Sequence, residues 1–332
     1  MMQIIGNGRK PSDRKALALA FIAKAVYKLP TTEALIDYLK VCRNIRRLCG
    51  WEFASAIPSK STFSRAFGEF SIGQLPSLIH EAMVKKNLNG KIVGHMSHDS
   101  TAIEAREKPV KKPKEEAAAE PKPEKKRGRP KKGEPRAEKP EKRLDIQAAR
   151  SLQENIEDLP NQCDIGVKRN SKGFMISWKG YKLHLSVADG DIPISAVLTS
   201  ASVHDSQVAI PLMQMSCERV NYLYDLGDAA YDAPQIRDFS FEKNHVPIID
   251  PNMQRKDAVP FDPAQTVRFR ERSSVERVNS NLKDNFGGRF LRVRGAAKVM
   301  AHLMFGIIAL TANQLFRMIV SDDDGKPLVS HT

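Results

Sequence analysis

The stretch RFRERSSVERVNSNLKDNFGG, residues 268–288, carries four chemically distinctive side chains at helical spacing. Phe269 lies seven residues and Arg272 four residues before Glu276, and Lys283 lies seven residues after it. At about 100° per residue, a continuous helix would place all four within an arc of about 60°. A carboxylate on such a face can bind a hard divalent cation, and an Arg and a Lys beside it can hold a phosphodiester.

The same stretch also fits an ordinary helix without a site. Ser273-x-x-Glu276 has the spacing of a capping box, and Arg- and Glu-rich helix faces are commonly just solvated. A helix that began at Ser273 would leave Phe269 and Arg272 ahead of its first turn and would weaken the shared face. The stretch alone therefore leaves both interpretations open.

The pattern Phe269-x2-Arg272-x3-Glu276-x6-Lys283 resembles the Tyr-x2-Arg-x3-Glu-x6-Lys signature of DDE insertion-sequence transposases. Phe replaces Tyr at 269, which removes a phenolic hydroxyl. The resemblance continues through further blocks in the same order, namely the N-terminal helices, Asp99, GYKLHLSVADGDIPISAVLTSASVHDSQ at 180–207 and DAAYD at 228–232. It implies an RNase H-like catalytic domain in which Asp99, Asp228 and Glu276 are the catalytic acids.

Helical patterns fill the first part of the chain, which predicts a small all-α domain over residues 1–90. The predicted helices span 13–27, 31–48, 61–70 (with an entry at Pro58 and Ser59) and 74–86. Several short helices with a tight turn before a Ser/Thr/Arg-bearing one fit a helix-turn-helix DNA reader, and they fit an ordinary bundle equally well. The resemblance makes Lys60 and Arg65 candidates for DNA contact.

The remaining pattern predicts an α/β domain with a mixed sheet and helices on both faces. A first strand, in the segment 91–105, ends in Asp99, and the rest of the domain occupies 144–320. We predict a helix over 144–159, strands over 173–189 (with a turn near Lys179-Gly180), 193–201, 220–228 and 245–250, a helix from Asp205 and a buried core helix over 303–312. Residues 321–332 are expected to form a flexible tail.

Two aspartates compete at the end of the 220–228 strand. Asp225 and Asp228 differ by three positions, so strand alternation points them to opposite faces. The resemblance favours Asp228 and leaves Asp225 as the alternative; Tyr231 belongs to the same motif. It also implies that Asp99, Asp228 and Glu276 bind two Mg²⁺ or Mn²⁺ ions, which can clamp a phosphodiester between them. Arg272 and Lys283 would contact DNA phosphates near the cut.

His204, in SVHDSQ, has two interpretations. The imidazole could contact a phosphate or donate a proton, and a His near a helix start commonly forms a local cap.

Residues 106–143 have the composition of a disordered basic insertion. They contain seven prolines, sixteen Lys and Arg, eight Glu and no aromatic residue, so they cannot build a core. The RGRP sequence at 127–130 resembles an AT-hook, in which Arg127 and Arg129 would follow the floor of an A·T-rich minor groove. A generic polybasic tether is the alternative.

The net charge of +14 indicates a polyanionic partner. The four cysteines show no C-x-x-C spacing, which indicates reduced thiols and no zinc site. The opening residues MMQIIGNGRK lack the apolar segment of a secretion signal, and the longest apolar run is too short for a membrane span. We therefore expect a cytoplasmic, nucleoid-associated protein without a membrane partner, acting on DNA as a homo-oligomer.

The resemblance implies a DNA transposase, an endonuclease that cleaves insertion-sequence ends and transfers the 3′ ends to target DNA. Two alternatives stay open: a catalytically decayed DNA-binding protein, and a related nuclease that never joins strands. The presence of all three acids favours the enzyme over the decayed protein.

Overall fold

Among the described residues, five α-helices precede the first strand. The computed structural model describes residues 12–110, 141–169, 172–251 and 259–324. The five helices are α1 (Arg14–Val26), α2 (Thr32–Val41), α3 (Arg43–Leu48), α4 (Lys60–Ile72) and α5 (Leu75–Leu88). The single helix predicted over 31–48 is wrong, because Cys42 is extended and separates α2 from α3. The Arg46 guanidinium fixes this break by donating to the Leu39 and Lys40 carbonyl oxygens at the end of α2.

In the described part of the chain, six strands form one sheet, and the sheet is mixed, as predicted. They are β1 (Ile92–Glu104), β2 (Asp164–Arg169), β3 (Met175–Ala188), β4 (Ile192–Ser200), β5 (Asn221–Gly227) and β6 (Val246–Ile249). The hydrogen-bonded order is β2-β3-β1-β5-β6, with β4 also on β3. β1 is antiparallel to β3 and parallel to β5, and β6 is parallel to β5. Gly190 and Asp191, both with positive φ, make the hairpin turn from β3 into β4.

β3 runs without the turn predicted near Lys179-Gly180. Gly180 has φ +149°, and a Cβ at this position would lie 2.1 Å from the Ile103 carbonyl oxygen of β1. Only a glycine permits this approach, so Gly180 marks a close strand contact and not a chain reversal.

The later helices cover both faces of the sheet. They are α6 (Arg143–Gln147), α7 (Leu152–Asp158), α8 (Ser206–Cys217), α9 (Pro234–Glu242), α10 (Pro263–Phe269), α11 (Ser273–Asn285) and α12 (Ala296–Asp324). The single helix predicted over 144–159 is therefore two short ones. Leu183 and Leu185 of β3 pack with α11 and α12 on one face, the α11 face. Val197 of β4 packs with α8 on the opposite face, the α8 face.

α12 is the central helix of the molecule, in agreement with the buried helix predicted over 303–312. Leu303, Ile307 and Leu310 belong to the core shared with the sheet, whereas Phe305 and Ile308 lie in the core of α1, α2 and α4. By length and composition α12 could cross a membrane, but 67% of its most apolar window is buried within the protein. α12 is therefore the packing element that joins the N-terminal helices to the α/β domain.

Two predicted segments fall largely outside the described residues. Of the basic insertion, residues 106–110 and 141–143 are described; Val110 donates its backbone N–H to the Cys163 carbonyl at 3.0 Å, so the chain follows the domain past Arg106. Arg127 and Arg129 lie outside. α12 extends to Asp324, four residues into the predicted tail, and residues 325–332 lie outside.

Candidate active site

Asp99 lies inside β1 and not at its end, because the strand continues to Glu104. The predicted strand end at Asp99 is therefore wrong, although Asp99 still lies where β1 becomes accessible. The pairing of β1 with the parallel strand β5 stops at Ser97, so past this point one edge of β1 is uncovered. Asp99 pairs with Leu185, which places both side chains on the α11 face. There Asn279 of α11 donates to Asp99 Oδ2 at 3.2 Å.

Asp228 follows the last residue of β5, as predicted. Its carboxylate accepts the Ala230 backbone N–H at 3.0 Å and so caps a 3₁₀ turn, Ala229–Tyr231. The Tyr231 ring packs against Gly227, where a Cβ would lie 3.0 Å from the Tyr231 Cβ. Since β1 and β5 are parallel neighbours, Asp99 and Asp228 emerge at the same edge of the sheet.

The chain around residues 268–288 forms two helices, α10 and α11, joined by a 3₁₀ turn, Arg270–Arg272, and not one continuous α-helix. Phe269, Arg272 and Ser273 all keep right-handed helical φ and ψ, so the chain direction is maintained through the turn. No capping-box bond forms at the start of α11. Glu276 lies in the first turn of α11, and Lys283 donates to Thr101 Oγ1 at 2.6 Å.

The Arg272 guanidinium lies between all three predicted acids. It is 2.7 Å from Glu276 Oε1, 3.7 Å from Asp99 Oδ1 and 3.6 Å from Asp228 Oδ2. Two strands and one helix therefore bring three carboxylates around one cation. Phe269 is not part of this group; its ring contacts that of Phe261 at 4.9 Å between centroids.

Burial and the closeness of charged groups shift the pKa values of the site's acids and of Arg272. Burial, with smaller contributions from the nearby charges of Asp228 and Asp205, raises the pKa of Asp99 to about 6 against the opposing effect of Arg272. Burial also raises the pKa of Asp228. Although burial lowers the pKa of Arg272, the charges of Asp99 and Asp228 outweigh that effect, so the pKa ends above its ordinary value. Such an arrangement favours positive charge at its centre.

The donor set fits a hard divalent cation once Arg272 moves aside. Among the described residues, no three His, Cys, Asp or Glu side chains are placed to hold an ion as they stand. The Arg272 side chain lies between the three carboxylates. Carboxylate oxygens are the ligands that Mg²⁺ and Mn²⁺ take, and the buried Asn279 Oδ1 beside Asp99 has no hydrogen-bond partner in the described part of the chain.

A fourth carboxylate, Asp205, supports the site from the α8 face. Asp205 Oδ1 accepts from Ser100 Oγ and from Lys182 Nζ, each at 2.9 Å. The sequence predicted Asp205 only as the start of a capped helix; α8 does begin there, but the side chain makes no cap bond. The acid in SVHDSQ could have indicated a residue near the site, but we interpreted it only as the start of a helix.

Asp225, the alternative to Asp228, is buried away from the other acids. Its carboxylate lies 2.8 Å from His98 Nε2 and 3.2 Å from His245 Nδ1, and it accepts from Ser240 Oγ at 2.6 Å. Burial opposes ionisation, but the hydrogen bonds of His245 and His98 lower the pKa of Asp225 well below its ordinary value. Asp225 therefore ties together β1, β5 and α9.

The other predicted residues are spread around the molecule. Tyr231 is buried near the acids, and its hydroxyl has no hydrogen-bond partner among the described residues. His204 is exposed and bonds Ser206 at 2.8 Å, the local contact weighed as its alternative role. Lys60 forms an ion pair with Glu33, and Arg65 is exposed on α4.

Comparison with protein families matches nearly the whole chain to transposases. Residues 94–312 match the model of the Transposase DDE domain, and residues 1–69 match the Transposase domain (DUF772). No curated protein and no solved structure matches the chain significantly.

Proposed function

The chain belongs to the transposases with a DDE domain, and from this membership and its site geometry we propose that it cleaves the ends of an insertion sequence and joins them to target DNA. The observation that carries the proposal is the meeting of Asp99, Asp228 and Glu276 around Arg272. Three acids from separate elements have no structural need to share one cation, whereas phosphodiester hydrolysis by metal ions requires such a cluster.

In this proposal Asp99, Asp228 and Glu276 hold Mg²⁺ or Mn²⁺. Two such ions would activate the attacking oxygen and stabilise the leaving oxygen of the phosphodiester. Arg272 would turn from the acids toward a DNA phosphate, for which its planar guanidinium is suited. Asn279 keeps the Asp99 carboxylate oriented, and Lys283 lies on the same helix face two turns beyond Glu276.

The remaining features of the proposal concern location and assembly. The charge of +14 suits a protein that stays on DNA, in the cytoplasm and associated with the nucleoid. Because an element has two ends, one copy at each end would make the active form a homo-oligomer on DNA. The helix α4, with Lys60 and Arg65, is the candidate for contact with the terminal sequence.

A product assay tests the proposal against its two rivals. The DNA flanking the gene supplies the terminal repeats for an end-labelled duplex, which is incubated with the protein, a supercoiled target plasmid and Mg²⁺. A transposase yields cleaved ends and plasmid joined to the label, and both products disappear in excess EDTA.

The rival functions give different products in the same assay. Cleaved ends without joined plasmid would identify a nuclease. Bound but uncut DNA, with Mg²⁺ and Mn²⁺ both tried, would identify a decayed DNA-binding protein.

A further inference from the structure

A basic cleft lies between the N-terminal helices and the loop that follows α11. Its volume is about 630 Å³. One wall comes from α1, the turn after it and the start of α4; the other comes from the end of α11, residues 287–294 and the start of α12. Eight of the described residues that line it are Lys or Arg, and one, Asp284, is acidic.

In the described part of the chain, most of these cations have no ion-pair partner. Arg289 pairs with Asp284, and Lys60 pairs with Glu33. Lys28 donates to the neutral Asn285 side chain at 2.7 Å, and Arg294 donates to a backbone carbonyl. The cleft therefore keeps an excess of positive charge inside a concave surface, where the electrostatic field is focused.

Three lining cations have no hydrogen-bond or ion-pair partner in the described part of the chain, namely Lys24, Arg292 and Lys298. Burial and the neighbouring charge of Arg292 lower the pKa of Lys24 to about 8. Burial, and then the charge of Lys24, lower the pKa of His302 to about 4. Cations gathered without a counter-charge repel one another, and an anion in the cleft would relieve that repulsion.

Lys283 of α11 links the cleft to the neighbourhood of the candidate active site. Lys283 lines the cleft and also donates to Thr101, two residues beyond Asp99. Glu276 and Lys283 are separated by two helical turns, about 10 Å, which corresponds to roughly three base pairs of duplex. A DNA strand held at the acids can therefore extend directly into the cleft.

We propose that this cleft binds the sugar–phosphate backbone of duplex DNA a few base pairs from the cleaved phosphodiester. The proposal rests on the proposed function in taking DNA as the substrate. Phe290, which is 79% exposed at the rim, adds an aromatic ring that a sugar or a base can contact.

Binding to random-sequence duplex in EDTA, measured by fluorescence anisotropy over a salt series, tests this proposal. The variant is Lys24→Gln/Arg292→Gln/Lys298→Gln. We expect weaker binding and a slope of log K against log salt that is shallower by up to about 2.7, since each phosphate contact contributes about 0.9. Because the assay contains no divalent metal and no terminal repeat, its result is independent of whether the protein cleaves or joins DNA.

The matched control removes the same charge elsewhere. Lys15, Lys86 and Lys91 are exposed and do not line the cleft, so Lys15→Gln/Lys86→Gln/Lys91→Gln should leave affinity and slope close to those of the wild type. Equal losses in the two triple variants would overturn the proposal, and so would an unchanged slope in the cleft variant. Matching thermal unfolding curves establish that the variants are folded.

A second measurement does not depend on charge removal. A photo-crosslinking amino acid at Phe290 should attach to duplex DNA, whereas the same group at Phe53, which is 68% exposed and outside the cleft, should not. End-labelled duplexes with the terminal repeat on one side then locate the crosslink on the element side or on the flanking side. Crosslinking from Phe53 but not from Phe290 would contradict the proposed cleft.

Discussion

Asp225 and Asp228 are neighbouring carboxylates in different surroundings, and we expect them to have different roles. Asp225 is 2% exposed and fully hydrogen bonded, whereas the side chain of Asp228 is 38% exposed and faces Arg272. Asp225 is buried and charged, so its stability depends on the hydrogen bonds from its neighbours. Asp228 is partly accessible from the solvent.

Substitution by Asn should separate the two roles. Asp228→Asn should abolish cleavage and leave the unfolding temperature nearly unchanged. Asp225→Asn should lower the free energy of unfolding by about 3–5 kcal/mol, because it disrupts a buried, charge-assisted network. Denaturant unfolding and the cleavage assay measure the two effects, and a stable Asp225→Asn protein without cleavage would show that the roles are reversed.

The contribution of Asp225 also depends on pH. Because its folded-state pKa lies below the unfolded value of about 3.9, its stabilisation is present above that pH and is lost as the pH falls toward the folded-state pKa. The stability difference between the wild type and Asp225→Asn should therefore narrow below about pH 4. A difference that stays constant down to pH 3 would contradict this assignment.

Asp205 is expected to act through its neighbours. It fixes Ser100, the residue after Asp99, and neutralises Lys182. Asp205→Asn should reduce cleavage by about 10- to 100-fold and raise the Mg²⁺ concentration needed for half-maximal cleavage, as is typical of residues that support metal ligands. If the cleavage rate and the protein's stability fell but the Mg²⁺ requirement did not change, Asp205 would be merely structural.

The acids of the site could be predicted from the sequence, but their arrangement around Arg272 could not. Strand alternation and the DAAYD motif were sufficient to predict that Asp225 and Asp228 diverge. The position of Arg272 between three acids depends on contacts across up to 173 positions of chain, which no local pattern contains. Asp205 was missed because an Asp before a helix usually caps it.

At the level of elements, the 3₁₀ turn before α11 presents Arg272 to the acids. Arg272→Gln should lower the unfolding temperature in EDTA, because Asp99 and Asp228 lose their counter-charge. Added Mg²⁺ should then raise the unfolding temperature more in this variant than in the wild type, since an ion need not displace the guanidinium.

Arg270→Gln is the matched control for this experiment. Arg270 lies on the same turn, is exposed and has no ion pair among the described residues, so its variant should behave like the wild type in both conditions. Equal Mg²⁺ shifts in Arg272→Gln and the wild type would show that the guanidinium does not occupy the ion position.

The contact between β1 and β3 depends on the glycine at 180. Gly180→Ala should destabilise the protein by about 2–4 kcal/mol, because the new methyl group would collide with the Ile103 carbonyl at a positive φ. Gly68→Ala, in α4 with no atom within 4 Å of the new Cβ, should instead stabilise by up to about 1 kcal/mol. Unfolding measurements that gave the two variants similar stability would contradict the described strand contact.

The order and type of most elements could be predicted, and their interruptions could not. Apolar periodicity identified α1, α4, α5, β4, β5 and the buried part of α12. The break at Cys42 depends on the Arg46 side chain, and the continuity of β3 through Gly180 depends on a neighbouring strand. Both are tertiary effects. β2 was not predicted at all, because it is short and largely exposed.

At the scale of the whole molecule, α12 makes the N-terminal helices and the α/β domain one packing unit. Phe305 is 2% exposed and contacts the rings of Phe21, Phe67 and Phe70. Phe305→Ala should cost about 3–5 kcal/mol and should shift a single unfolding transition seen by probes in both parts. Two separate transitions, with only the helical part affected, would show that the parts fold independently.

The central claim is that Asp99, Asp228 and Glu276 form one metal-dependent cleavage site. The most direct measurement compares Mg²⁺-dependent cleavage of a terminal-repeat duplex by Glu276→Gln and Glu271→Gln. Both glutamates are exposed and lie on the same helical segment, but only Glu276 pairs with Arg272. We predict no cleavage by Glu276→Gln, wild-type cleavage by Glu271→Gln and equal DNA binding by both; cleavage by Glu276→Gln at the wild-type rate would contradict the account.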